Sequence, residues 1–265
     1  MSTQNDSEEF VRALARGLSV IEAFDADHAQ LTLSDVAKRT DMTRATARRL
    51  LHTLQQLDYV ASDGKYFSLR PKVLRLGFAY LSSLNLAQIA QPYMERLVDA
   101  VQESCSMSVL DGSDVVYVAR VPTKRIMSIG INIGTRLPAA NTSMGRILLS
   151  DLDAAHLDDF FARTTLNAHT SKTITDRAQL TAELARVRAQ GWALVDQELE
   201  EGLRSVAAPV TGRNGKVIAA INLSGHATRI TAERLVEEFV PPLLSTAAAI
   251  SDALRHGQSS LNQAF

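Results

Sequence analysis

Arg44, Arg48 and Arg49 are the side chains of this sequence best suited to meeting a polyanion. They recur at helical spacing in the run 44–57, sharing a face with Ala45 and His52, while Ala47, Leu50, Leu51, Leu54 and Leu57 share the other. A guanidinium forks onto guanine edges or phosphates, and a small residue lets a helix come close to a groove. Thr43 sits where its hydroxyl can cap the first turn, with Thr46 one turn further on. An arginine-rich face is often merely solvated, so its neighbours decide. Leu33, Val36 and Ala37 mark a helix just upstream, broken at Asp41-Met42-Thr43. Downstream, Tyr59–Ala61 and Tyr66–Leu69 flank Ser62-Asp63-Gly64-Lys65, an Asp-Gly hairpin signal. Residues 34–75 carry nine basic and four acidic side chains in a chain whose net charge is −1. A helix-turn-helix followed by a basic wing is the expected result, with Thr43, Arg44, Ala45, Thr46, Arg48, Arg49, His52 and Lys65 as candidate contacts to double-stranded DNA.

A second group of residues has the chemistry of a small-molecule site. Asn141, Thr142 and Ser143 precede a short helix whose first amides are free to meet an anion. The same residues equally suit ordinary capping. Asn222 and Ser224 alternate on one face of an apolar strand, either toward a ligand or toward solvent. Asp196 and Glu198 are read as sharing strand parity beside a glycine-containing turn, where a structural salt bridge is the competing role. An acidic ligand needs a cation, and Arg120, Arg136, Arg146 and Arg204 are all candidates; Arg204 is equally able to pair with Glu198 or Glu201.

The elements that must position these residues follow from periodicity. Val11, Leu14, Leu18, Ile21 and Phe24 form a stripe expected to cover the core of the first domain. Pro71 opens a helical linker over Lys72–Leu86, and a further helix spans about 89–103. From Ser104 the period changes to two: a hairpin at 107–121, a strand at 125–133, then strands at 192–196, 204–211 and 216–224. Helices are expected at 142–149, 152–162 and 176–190, and at 231–255, where Pro241-Pro242 must kink or split the helix.

Composition narrows the function classes. The single cysteine, Cys105, excludes an intramolecular disulfide and a cysteine-based zinc site; it reads as a packing residue in a reducing compartment. The six histidines lack ligand spacing, and no phosphate loop or trustworthy carboxylate pair is present, so no catalytic residue, metal or cofactor is assigned. The polar, acidic start is no signal peptide, and no apolar run has the roughly 20 residues of a membrane span. A cytoplasmic location follows.

Four stretches together carry a resemblance: 13–21; Arg136-Leu137-Pro138 through Thr142-Ser143-Met144-Gly145-Arg146; 191–198; and 202–210. With the winged helix in their midst, the chain resembles IclR-type transcriptional regulators over essentially its whole length. The form of 136–146 is most similar to the branch governing protocatechuate and 4-hydroxybenzoate catabolism, the β-ketoadipate pathway. Asp58 departs from the glycine that such proteins often carry before the wing. The resemblance implies an α+β protein: a winged helix-turn-helix, a linker helix and a GAF-like α/β sandwich that binds an effector. It implies dimers pairing through the N-terminal domains, and tetramers through the effector domains.

The domain expectation is a tail at 1–9, the winged domain at 10–70, a linker at 71–88, the effector domain at 89–257 and a tail at 258–265. Effector contacts are expected from Asn141, Thr142, Ser143, Met144, Asp196, Glu198, Arg204, Ser205, Asn222 and Ser224. The expected ligand is a small carboxylate: protocatechuate, 4-hydroxybenzoate or β-ketoadipate. The competing reading is a metabolite sensor or enzyme whose winged helix mediates protein contacts; the basic face argues against it.

Overall fold

A computed structural model describes residues 10–25, 27–76, 86–123 and 131–256. The expected tails, the linker between 77 and 85 and the strand across 125–130 lie outside the described residues. The chain divides into two compact units, Met1–Ser83 and Leu84–Phe265.

The first unit holds α1 (Arg12–Glu22), β1 (Leu31–Thr32), α2 (Leu33–Arg39), α3 (Arg44–Gln56), β2 (Val60–Ser62) and β3 (Tyr66–Leu69). Thr32 and Asp35 cap the start of α2 reciprocally, each side chain meeting the other's backbone N–H. Asp41 takes a left-handed φ of 51° in the turn, and Thr43 accepts the Thr46 N–H at 3.2 Å to start α3. Asp58 itself adopts the left-handed conformation at the end of α3, with φ 61°, and its carboxylate receives Arg70 at 2.6 Å. The wing turns through Gly64-Lys65, held by the Asp63 carboxylate, which accepts the N–H groups of Lys65 and Tyr66. The short β1 joins the wing as a third strand beside β3, a pairing that two residues of alternation do not announce.

The expected stripe holds only at its C-terminal end. Phe24, just past α1, is buried with Val20, Ala23, Val36, Ala47, Leu51 and Val60, and Ile21 packs against them. Val11 and Leu14 remain 62% and 63% exposed, and Leu18 is exposed too. The apolar residues of α1 therefore occupy two faces: Val20 lies about 200° around the helix from Leu18. One face packs inward and the other is open. Leu57, read as part of the inward face of α3, is likewise exposed, because the helix ends at Gln56.

The second unit is a six-stranded antiparallel sheet in the order β6-β5-β4-β9-β8-β7. Its strands are β4 (Ser104–Asp111), β5 (Asp114–Val121), β6 (Arg136–Pro138), β7 (Ala193–Asp196), β8 (Leu203–Thr211) and β9 (Val217–His226). Its helices are α4 (Leu86–Val101), α5 (Ser143–Ser150), α6 (Ala154–Arg163), α7 (Arg177–Gln190) and α8 (Val240–His256). Alternation sends Ala219, Ile221 and Leu223 to one face, packed by α4 and α8, and Ala220, Asn222 and Ser224 to the other, packed by α5. Pro241 and Pro242 do not split α8. A π-turn over Leu235–Phe239 precedes them, with Val240 N–H reaching back to the Leu235 carbonyl, and the helix continues past them to His256. Cys105 lies inside β4 and is fully buried, and burial pushes its thiol well above the usual range, so it packs rather than reacts. No helix among the described residues is long and apolar enough to cross a membrane.

Candidate functional site

The first unit presents a basic surface. Arg44, Ala45, Arg48, Arg49 and His52 are all exposed along one side of α3, opposite the buried Ala47, Leu51 and Leu54. Thr43 is committed to capping α3, and its hydroxyl also meets that of Thr46 at 3.0 Å. Among the described residues none of the three arginines forms an ion pair within the chain. Lys65 sits at the tip of the wing with its ammonium 4.8 Å from the Tyr66 ring centroid. A helix with a free cationic face, beside a hairpin with a lysine at its tip, has the groove-and-backbone geometry of a winged helix.

In the second unit the register builds a polar patch on one face of the sheet. Arg120 on β5 lies opposite Ser106 on β4, which lies opposite Asn222 on β9. In the next row Ser104, Ser224 and Ser205 align across β4, β9 and β8. Asn222 Oδ1 accepts the Ser106 N–H at 3.0 Å, and its amide donates to the Ser224 hydroxyl at 2.9 Å. Over this patch comes the start of α5. Gly145 lets the preceding turn, Ala139–Asn141, fold tightly against the helix, because a Cβ there would stand 2.0 Å from the Ala139 carbonyl oxygen. Thr142 caps the helix by accepting the Gly145 N–H at 3.0 Å, and the hydroxyls of Ser143 and Ser205 meet at 2.9 Å.

Between sheet and helix start lies a narrow recess with a cavity volume of about 20 Å³. Asn141, Thr142, Ser143, Ser205, Asn222 and Ser224 line it, together with Arg120 and Tyr117. Its apolar walls come from Ile131, Leu137, Val195, Leu199 and Leu203. A mostly apolar cleft with a few convergent polar groups is the kind of lining that small ligands use.

Four of the ten expected effector residues do not line this recess. Met144 is fully buried in the core, where its sulfur accepts the Ser108 hydroxyl. Asp196 and Glu198 do not share a strand: β7 ends at Asp196, and Gln197 takes a left-handed φ of 61°. Asp196 binds Arg204 Nε at 2.5 Å and Lys172 Nζ at 2.7 Å. Glu198 receives Arg146 at 2.5 Å, both side chains nearly enclosed, and the Ile174 N–H at 3.2 Å. Arg204 also donates to the carbonyls of Ala227 and Ile230. Each charge has found a partner inside the fold, the competing role that the sequence left open. Arg136 is likewise held, by Asp111 and Asp114. Tyr117 is the polar lining residue that sequence reading passed over. A register shift between Met107 and Ser108 skips Val118 and resets the parity of β4 against β5, so simple alternation does not show that Tyr117 and Arg120 share a wall.

A winged helix with a free basic face, followed by a sheet-and-helix unit with a polar recess, defines a DNA-binding regulator with a ligand-sensing domain. The IclR helix-turn-helix domain matches residues 13–64, and the bacterial transcriptional regulator IclR C-terminal domain matches residues 78–252. The chain belongs to the IclR family of transcriptional regulators, and is not an enzyme. It is 48% identical over 238 residues to the Pca regulon regulatory protein of Pseudomonas putida, covering 89% of this chain and 82% of that protein. A transcriptional regulator from Rhodococcus sp. RHA1 superposes with a TM-score of 0.81 at 52% identity, covering 92% of this chain and 98% of that one. The inducer-binding domain of the PobR transcription factor from Acinetobacter, a double mutant in complex with 3-hydroxybenzoic acid, aligns with a TM-score of 0.60 at 32% identity. That alignment covers 62% of this chain and 97% of the domain.

Proposed function

We propose that this chain controls transcription of genes for breakdown of aromatic acids by the β-ketoadipate route, and that a small carboxylate in the recess of its second unit sets its affinity for an operator. The observation that carries this reading is the recess itself: hydroxyl, amide and guanidinium groups set among apolar walls, in a chain nearly half identical to a regulator of a pca regulon. Protocatechuate, 4-hydroxybenzoate and β-ketoadipate are the leading effectors. Contacts come from Asn141, Thr142, Ser143, Ser205, Asn222 and Ser224, and the protein acts in the cytoplasm, where its DNA is. The operator is read by two copies. One short helix gives too little discrimination against a genome, and a symmetric dimer doubles it. The open apolar face of α1 is suited to pairing the first units, with tetramers forming through the second.

Thermal unfolding in the presence of each acid tests the reading. An effector at ~100 times its dissociation constant adds about 2.7 kcal/mol to the stability of the form that binds it. Retardation of the chain's own upstream DNA should change with the same compound. Stabilisation by a sugar or amino acid and by none of the three acids would remove the pathway from the proposal.

A further inference from the structure

We infer that Arg120, Tyr117 and Asn141 form the carboxylate-binding end of the recess; this rests on the recess being the effector site. Of the four arginines able to hold an acid, three are already neutralised: Arg136 by Asp111 and Asp114, Arg146 by Glu198, and Arg204 by Asp196. Arg120 has no carboxylate partner among the described residues. Among the described residues its one hydrogen bond is a 3.4 Å contact from Nη1 to the Ser106 hydroxyl, its neighbour in register. The side chain is only partly exposed, and burial lowers its pKa, a direction that an anion beside it would reverse.

Two further groups on the same walls are unmatched. Tyr117 is 3% exposed, lines the recess, and its hydroxyl makes no hydrogen bond with any described residue. Burial pushes that phenol up to about 12, with Arg120 working weakly against the shift, so it stays protonated and a donor. The Asn141 side chain is 4% exposed, lines the same recess, and its amide likewise makes no hydrogen bond with any described residue. Arg120, Tyr117 and Asn141 line one recess with donors that the described residues leave unused or hold only by one long contact, and a ligand entering there can take the place of the solvent that meets them. The three can donate together: a guanidinium fork, a phenolic O–H and an amide NH₂. One acceptor group bearing a negative charge satisfies all of them, and a carboxylate has that shape. The hydroxyls of Ser143, Ser205 and Ser224 then stand for the uncharged end of the effector, where a ring hydroxyl or a keto oxygen is read.

The test is calorimetry on the full chain with 4-hydroxybenzoate, protocatechuate and β-ketoadipate, and with 4-hydroxybenzamide, which keeps the shape of the first and lacks the charge. Wild-type protein should bind 4-hydroxybenzoate at least about 30-fold more tightly than the amide, the size of a charge-assisted hydrogen bond in a partly dry site. Arg120→Gln should lose that preference, with the acid falling to the level of the amide. Arg120→Lys should recover part of it, and Tyr117→Phe should weaken the acid about 5- to 10-fold. Equal binding of acid and amide by the wild type overturns the assignment without any variant, as does a folded Arg120→Gln protein that still prefers the acid. If Arg120→Gln does not fold, the wild-type comparison and Tyr117→Phe decide. Wild type that binds none of the three acids removes the effector reading itself, a failure distinct from acids that bind and ignore Arg120.

Discussion

Asp196 shows how a charged residue beside a binding recess can belong to the frame instead. Its carboxylate gathers Arg204, Lys172 and the Gln197 amide, and Arg204 reaches on to the carbonyls of Ala227 and Ile230. One acidic side chain thereby ties the end of β7 to β8 and to the turn after β9. Burial alone works to raise the Asp196 carboxyl; the hydrogen bonds from Arg204, Lys172 and Gln197 outweigh it and hold the group at about 2. Because the folded value lies below that of an unfolded aspartate, about 3.9, the stabilisation is present above that value and disappears as pH falls through 2. Asp196→Asn should therefore be less stable than wild type at pH 7 by about 1 kcal/mol, a figure discounted for the partial exposure of the site. The gap should close between about pH 4 and 2, read from urea midpoints across that range. Effector affinity should be unchanged, because Asp196 does not line the recess. A stability gap that stays constant with pH would show that packing, not charge, is what the substitution removes.

At the scale of elements, α3 carries the clearest prediction. Its two faces are decided by the spacing of Ala47, Leu51 and Leu54 against Arg44, Arg48 and Arg49, and the inner set is fully used by the core. Replacing the three arginines with alanine should leave the fold intact and abolish operator retention at moderate salt. Each arginine that contacts phosphate should lower the slope of log affinity against log salt by about 1, and each that reads a base should cost about 1–3 kcal/mol at one base pair. A folded triple variant that binds its operator normally would remove α3 from the interface. The winged helix was legible before the structure because local signals agreed: a cap at Thr43, a period of 3.6 in α3 and an Asp-Gly turn. The recess was only partly legible. Asn141–Ser143, Asn222 and Ser224 advertise themselves by polarity in apolar surroundings. Tyr117 and Arg120 depend on a register shift between β4 and β5 that skips Val118, and the pairing of Arg146 with Glu198 crosses 52 positions of sequence. Strand parity and long-range charge matching are set by tertiary packing, which periodicity does not carry.

At the scale of the whole molecule, α1 is where the proposed pairing of two copies can be tested. A helix with an apolar residue on both faces wastes one of them in a monomer: Phe10, Val11, Leu14 and Leu18 stand in solvent while Val20, Ala23 and Phe24 fill the core. Contiguous exposed apolar surface marks a contact, and for a DNA-binding unit the contact that improves recognition is a second copy of itself. Charging the open face alone should separate pairing from folding. Leu14→Glu with Leu18→Glu leaves the buried residues untouched, so the thermal transition of the first unit should be retained. Each leucine withdrawn from an interface forfeits about 1.5–3 kcal/mol of burial, and two copies of the face lose it twice. The double variant should sediment as a smaller species than wild type at micromolar concentration, and should bind an isolated half-site as weakly as wild type does while losing its advantage on the full palindrome. Unchanged sedimentation together with unchanged palindrome binding would place the pairing surface elsewhere in the chain and leave the open face of α1 without a role in assembly.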